Sequence, residues 1–339
     1  MKYPNNFIAV SQGLICTVLM SYSVISIAYQ DIETMTKKTL LQQLTKDKKI
    51  KPKLYFENES LRLFGEKSSN LSREKTEILD ALLIFDKNFG STSRLDVALM
   101  NSQLHLMRLD STQFNDNYFA FLSHQGQLSA TKKVDINEEK LNKANILAHE
   151  VCHKLLINKV DEKGLRKKSN ADETGRLGYG HSLLPDWFDE MAAVICENQY
   201  LKTDRLSDLT GDFIPFSQYL NMEHPVMAQQ QEQIKALMAK MKQQLKQKST
   251  EKKDDTHYVM VMDISEADES SRLAVKFYSQ TALFSQFLEK KFGNNIFKTL
   301  TEKFVQGINV EHWIIKQLAL KNTEQLDAMF KIYVMNYQV

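Results

Sequence analysis

The chain has 339 residues, 42% of them hydrophobic and 25% charged, which belongs to a folded protein and excludes disorder, collagen-like repeats and small disulfide scaffolds. Lysine plus arginine exceeds aspartate plus glutamate by only 44 − 42 = 2, so no basic excess exists to hold a phosphate backbone and nucleic acid is not expected as a partner. Beyond residue 30, charged residues interrupt every apolar run before it reaches the roughly 20 residues needed to span a bilayer, which excludes a multi-pass transporter.

From Tyr3 to Gln30 there is no charged residue, and Lys2 precedes the run. A short basic start followed by an apolar segment reads as a secretory signal. Ser26-Ile27-Ala28 places small residues at −3 and −1 of a cleavage site after Ala28. Residues 1–28 are therefore expected to be a signal peptide, or alternatively a membrane anchor over residues 7–28 that faces the remainder outside the cytoplasm. Either way the protein is exported, periplasmic or secreted, and touches a membrane only through this segment if it stays uncleaved. Cys16 follows Ile15, a poor fit to a lipid-attachment site. The other two cysteines, Cys152 and Cys196, are free to pair in an exported compartment, but sequence does not supply the geometry that decides it.

Apolar residues at Ile78, Leu82, Phe85 and Phe89 predict a helix within Asn70 to Phe89, stopped by Gly90. Leu95 to Met107 and Tyr118 to Ser123 read as strands. His124 to Gln127 reads as a turn into a further strand over Leu128 to Ile136, giving a small antiparallel sheet. Asn137, followed by Glu138, Glu139 and Lys140, predicts a helix start, with the helix running through Leu156. Asn158 to Gly180 reads as a long solvated loop. Pro185 is expected at a first helical position, with the apolar pattern resuming over Trp187 to Cys196. A Gln/Lys/Met-rich helix is expected after Pro225 to about Lys248, then a polar run to Thr256, and three or four helices over Leu273 to Val339, broken at Gly293, Gly307 and near Lys321-Asn322.

His149-Glu150-Val151-Cys152-His153 is an HExxH sequence inside a predicted helix. Residues four apart differ by about 40° around a helix axis, so both imidazoles share a face and can bind one metal ion, with Glu150 beside it as a general base. With 8 His and 22 Glu in the chain, accidental matches to this pattern number roughly 0.01. Such a site uses Zn²⁺ to acidify a water, and the carboxylate takes the proton during attack on a carbonyl. A third protein ligand is required. Leu156 and Lys159 occupy the positions where a metzincin needs Gly and His, which excludes that class. His181, Asp186, Asp189 and Glu190 remain as candidates.

Leu184-Pro185-Asp186-Trp187-Phe188-Asp189-Glu190-Met191-Ala192-Ala193, followed by Glu197, resembles the Trp-x-x-Glu-x-x-Ala helix of the gluzincin metallopeptidases, the peptidase MA-like group that includes alanyl-aminopeptidase-type enzymes. The resemblance implies one zinc ion held by His149, His153 and Glu190, and a role for Glu197 in orienting a ligating histidine. Tyr278-Ser279-Gln280-Thr281-Ala282-Leu283, with Phe287-Leu288 and Phe292-Gly293, is similar to the family's tyrosine helix and implies that Tyr278 donates its hydroxyl to an oxyanion. It spans roughly residues 70 to 335 in its order of elements. No Gly-Ala-Met-Glu-Asn-like segment precedes the metal helix, so aminopeptidase specificity is not implied.

The expected fold is α+β and predominantly helical: a zincin-like region over residues 67–222 with a small antiparallel sheet, after an N-terminal segment 29–66, then a Gln/Lys-rich helix and polar linker 223–256 and a C-terminal helical region 257–339. The expected activity is hydrolysis of peptide bonds in a peptide or protein substrate, with Glu150 and Tyr278 catalytic. The alternative is a metal-binding scaffold or interaction protein without peptidase activity, and a weaker third reading is a hydrolase of cell-wall peptides. His105, His124, His224, His257 and His312 have no spacing partner and read as structural or surface residues.

Overall fold

The computed structural model describes residues 49–67, 70–115, 117–131, 138–162, 182, 184–207, 212–225 and 268–337. The expected signal segment, His181, His257 and the helix expected from Val226 to Lys248 lie outside the described residues. The chain divides into two compact units, residues 1–47 with 223–274 and residues 48–222 with 275–339. The HExxH segment and the C-terminal helices from Val275 onward belong to the second, described below.

The unit opens on strands β1 (Lys53–Glu57) and β2 (Leu61–Gly65), joined at a turn where Asn58 Oδ1 accepts from the Ser60 and Leu61 amides at 2.9 and 2.8 Å. Helix α1 (Ser72–Phe89) follows, ended by Gly90 at φ 84°, and leads to β3 (Leu95–Met100). After α2 (Gln103–Met107) and a 3₁₀ turn at Ser111–Gln113 come β4 (Tyr118–Leu122) and α3 (His124–Thr131). Helices α4 (Glu138–Lys143), α5 (Ile146–Glu162), α6 (Asp186–Ile195), α7 (Gln199–Ser207) and α8 (Phe216–Tyr219) complete the first part. Helices α9 (Asp268–Phe292), α10 (Ile296–Val305), α11 (Val310–Gln317) and α12 (Thr323–Tyr337) complete the second.

The protein is α+β and predominantly helical, as expected. The sheet, however, is mixed rather than antiparallel: in the order β1-β2-β3-β4, only β1 pairs antiparallel, while β2, β3 and β4 run parallel. All six residues of β3 are buried, as befits a strand covered on both faces. The expected strand over Leu95 to Met107 stops at Met100, because Ser102 Oγ accepts from the His105 amide at 3.2 Å and starts α2. The expected turn at His124 to Gln127 and the first residues of the strand after it are helix α3, which Ser123 caps by accepting from the Gly126 amide at 3.1 Å.

The helix expected from Asn137 through Leu156 is two helices, with the break at Ala144-Asn145, and the second runs on through Glu162. Residues 158–162, expected in a loop, are therefore helical. Helix α6 begins one residue after Pro185 and ends before Cys196. The four C-terminal helices break where expected, with Gly293 and Gly307 at φ 82° and 73°.

Every residue from Ile146 to His153 is buried, so α5 is a central helix enclosed on all sides over this stretch. It packs against α1 and α6 and contacts β4. Trp187 anchors α6 in an aromatic core, edge-on to Phe188 at 5.5 Å and tilted against Phe284 of α9 at 5.8 Å and Phe304 of α10 at 6.1 Å. Gln280 of α9 exchanges two hydrogen bonds with the Ile214 backbone, at 2.7 and 2.9 Å, and Tyr219 Oη lies 2.7 Å from Thr281 Oγ1. These contacts hold the element bearing Tyr278 in register with the one bearing Glu190.

Candidate metal centre

Helix α5 carries His149 and His153 one turn apart, and α6, anchored by Trp187, brings Glu190 against them. All three are buried. His149 Nε2 lies 3.2 Å from His153 Nε2, and the Glu190 carboxylate reaches both, with Oε2 3.6 Å from His149 Nε2 and Oε1 3.5 Å from His153 Nε2. One ligand atom from each residue falls within 4.8 Å of the others, and the group could hold a metal ion. Metal–ligand bonds of 2.0–2.1 Å at the tetrahedral angle separate ligand atoms by about 3.3 Å. The two Nε2 atoms, 3.2 Å apart, meet that separation, and one oxygen of Glu190 lies within 4.8 Å of both.

The opposite ring nitrogens face carboxylates. His149 Nδ1 lies 2.8 Å from Glu197 Oε1, and His153 Nδ1 lies 3.6 Å from Asp189 Oδ1. An Nδ1 proton donated to a carboxylate leaves the Nε2 lone pair for a metal, so Glu197 favours the ligating tautomer of His149, while Asp189 stands at ion-pair distance from His153. Asp189, weighed in the sequence as a third ligand, thus sits on the far side of His153, and its Oδ2 accepts from the Ser182 amide. Asp186 is half-buried in the first turn of α6.

Glu150 stands beside the cluster, its Oε1 3.9 Å from His149 Nε2. That oxygen is buried and makes no hydrogen bond among the described residues. Burial pushes the Glu150 carboxyl up; the two imidazoles oppose this, and Glu190 and Glu197 add to it. At His153 burial acts to lower the imidazole, yet Glu190, with Asp189 and Glu150, raises it well above its ordinary range. The carboxylates gathered around His153 thus favour positive charge on that ring.

Glu197 lies beyond the end of α6, in the turn between α6 and α7. Burial there works to raise its carboxyl, but the Arg205 guanidinium and the His149 contact hold it below the usual carboxylate range. Tyr278 of α9 is buried, with its ring centroid 6.3 Å from that of His149, and it packs with Val194 and Ala282. Thus His149, Glu150, His153, Glu190, Glu197 and Tyr278 are all brought together. Arg205, eight residues after Glu197 and across a helix boundary, is a site residue with no signal in the sequence. Of the remaining histidines, His105 Nδ1 meets Glu66 at 2.9 Å and His124 Nε2 meets Asn142 at 2.8 Å.

Cys152 and Cys196 form a disulfide that joins the middle of α5 to the end of α6. It bridges 44 positions of sequence, for which the chain-entropy account gives about 4 kcal/mol of stabilisation. Reduction, or the Cys152→Ala/Cys196→Ala pair, is expected to lower the thermal midpoint and weaken metal retention. Unchanged metal retention in equilibrium dialysis would show that the bridge does not hold the ligand-bearing helices together.

No protein-family model, curated protein or solved structure matches this chain. The likeness to gluzincins is carried by the motif residues alone, and the geometry supports the coarser statement of a buried His149, His153, Glu190 group able to bind a metal.

Proposed function

We propose that the chain is an exported, single-zinc metallopeptidase of the gluzincin kind, hydrolysing peptide bonds with Glu150 as general base. The observation that carries this reading is the Glu150 carboxylate oxygen, buried beside the three-ligand cluster without a hydrogen bond among the described residues. An unsatisfied buried carboxylate oxygen costs stability. A site that merely holds a metal gains nothing from that cost, whereas a base must keep an acceptor oxygen open to a reacting water. This weighs against the scaffold alternative.

A donor set of two imidazoles and one carboxylate favours zinc over calcium or magnesium, which take oxygen donors. When bound, zinc supplies Lewis-acid polarisation of a carbonyl and lowers the pKa of water. His149, His153 and Glu190 would hold it. Glu150 would accept the proton of the attacking water and deliver it to the departing amine. Tyr278, beside His149, would donate its hydroxyl to the oxyanion, a contribution of about 3–4 kcal/mol for a well-placed donor. The disulfide agrees with export, since such bonds persist outside the reducing cytosol.

The test is a peptide-library cleavage profile read by mass spectrometry, run on wild type, on Glu150→Gln and on wild type with a chelator. Cleavage that needs both zinc and Glu150 supports the reading. Absence of cleavage by the zinc-loaded wild type, or cleavage that survives both controls, defeats it.

A further inference from the structure

We propose that Arg205 is a positioning residue for the metal ligand His149, acting through Glu197 and braced on the ring of Tyr278. The inference rests on the reading of His149, His153 and Glu190 as metal ligands and adds to it a residue that no motif marks.

Arg205, on α7, is 6% exposed, and a guanidinium is removed from water only where its charge and donors are met. Its Nε donates to Glu197 Oε2 at 2.6 Å, and its Nη2 donates to Glu197 Oε1. The same Oε1 accepts from His149 Nδ1 at 2.8 Å. A carboxylate held at one point can rotate about its last bond. Held by a planar fork at both oxygens, it has one plane, and so one direction in which Oε1 meets the imidazole. That direction sets the His149 ring rotation and aims Nε2 at His153 and Glu190.

The guanidinium is fixed in turn. Its carbon lies 4.3 Å from the Tyr278 ring centroid, a cation–π contact in a desolvated place. Helix α7 is tied to the start of the metal helix: Asn198 caps it through the Leu201 amide at 3.0 Å, and the Asn198 amide donates to Asn145 Oδ1 at 2.8 Å. Arg205 therefore joins the tyrosine expected to meet the oxyanion to the histidine expected to meet the metal. Lysine, with a single compact ammonium, could supply the charge but not the fork.

The experiment measures zinc affinity by competition with a chromophoric chelator, on metal-stripped protein, with the thermal midpoint of each variant. Arg205→Met keeps the stem volume and removes the fork; it should weaken zinc binding by about 10–100-fold, the range for loss of an outer-shell partner. Arg205→Lys should fall between it and wild type. Glu197→Gln should weaken binding comparably, and adding Arg205→Met to it should change affinity by no more than about threefold, because the arginine acts through that carboxylate. Zinc affinity of Arg205→Met within about twofold of wild type, or losses that multiply in the double variant, would overturn the inference. If Arg205→Met does not fold, Arg205→Lys decides: a loss supports the role and wild-type affinity overturns it. A wild type that binds no zinc in the first titration overturns the metal-site reading itself, and with it this one.

Discussion

Glu190→Gln is expected to weaken zinc binding by more than about 100-fold without unfolding the protein. Loss of an outer-shell partner alone costs 10–100-fold in affinity, and this change removes the one anionic donor among the three ligands. The substitution keeps the volume of a buried side chain on α6, whose place is set by Trp187 and its aromatic neighbours rather than by the carboxylate. It also removes the carboxylate that holds the His153 imidazole well above its ordinary range, so the metal-free variant should melt somewhat lower than metal-free wild type while remaining folded. Chelator competition and calorimetry measure the two quantities. Near-wild-type affinity would take Glu190 out of the ligand set.

Glu150→Gln separates binding from chemistry. The amide occupies the same space beside His149 and is not one of the three ligands, so zinc affinity should stay within a few-fold of wild type. Turnover of any peptide identified in the library should fall by about 10²–10⁴-fold, the usual worth of a positioned general base, or roughly 3–5 kcal/mol of barrier. The expected signature is a fall in kcat with retained metal. A variant that keeps both zinc and turnover would favour the scaffold alternative. One that loses both would show that Glu150 supports the ligand geometry instead.

Much of the site could be read before the fold was known, because its information is local. His149 and His153 are one helical turn apart, whereas Glu190 stands out from His181, Asp186 and Asp189 only through the likeness of its helix to the gluzincin motif. The structure adds what local spacing omits. Glu197 reaches His149 from the turn between α6 and α7, and Arg205 joins it from the far side of that turn, on α7. Asp189, weighed as a ligand, is separated from that role by which nitrogen of His153 it faces, a matter of ring rotation.

The sheet was the less legible part. Strands β1 and β2 fell in a segment assigned no strand, although Leu61 and Leu63 alternate with Arg62, because charged residues interleave throughout. Gly126, within the expected turn His124 to Gln127, lies instead in the first turn of α3. An added Cβ there would come within 2.8 Å of the Met100 carbonyl oxygen, so glycine serves the close approach of α3 to the end of β3. The parallel order of β2, β3 and β4 depends on crossovers through α1 and α2, and alternation within one strand carries no information about its neighbour's direction.

Anomalous X-ray scattering at the zinc edge, from crystals grown with stoichiometric zinc, tests the central claim most directly. One peak is predicted, about 2.0–2.1 Å from Nε2 of His149, Nε2 of His153 and a carboxylate oxygen of Glu190. Zinc-loaded crystals with no peak between these side chains, or with the ion elsewhere on the protein, would contradict it.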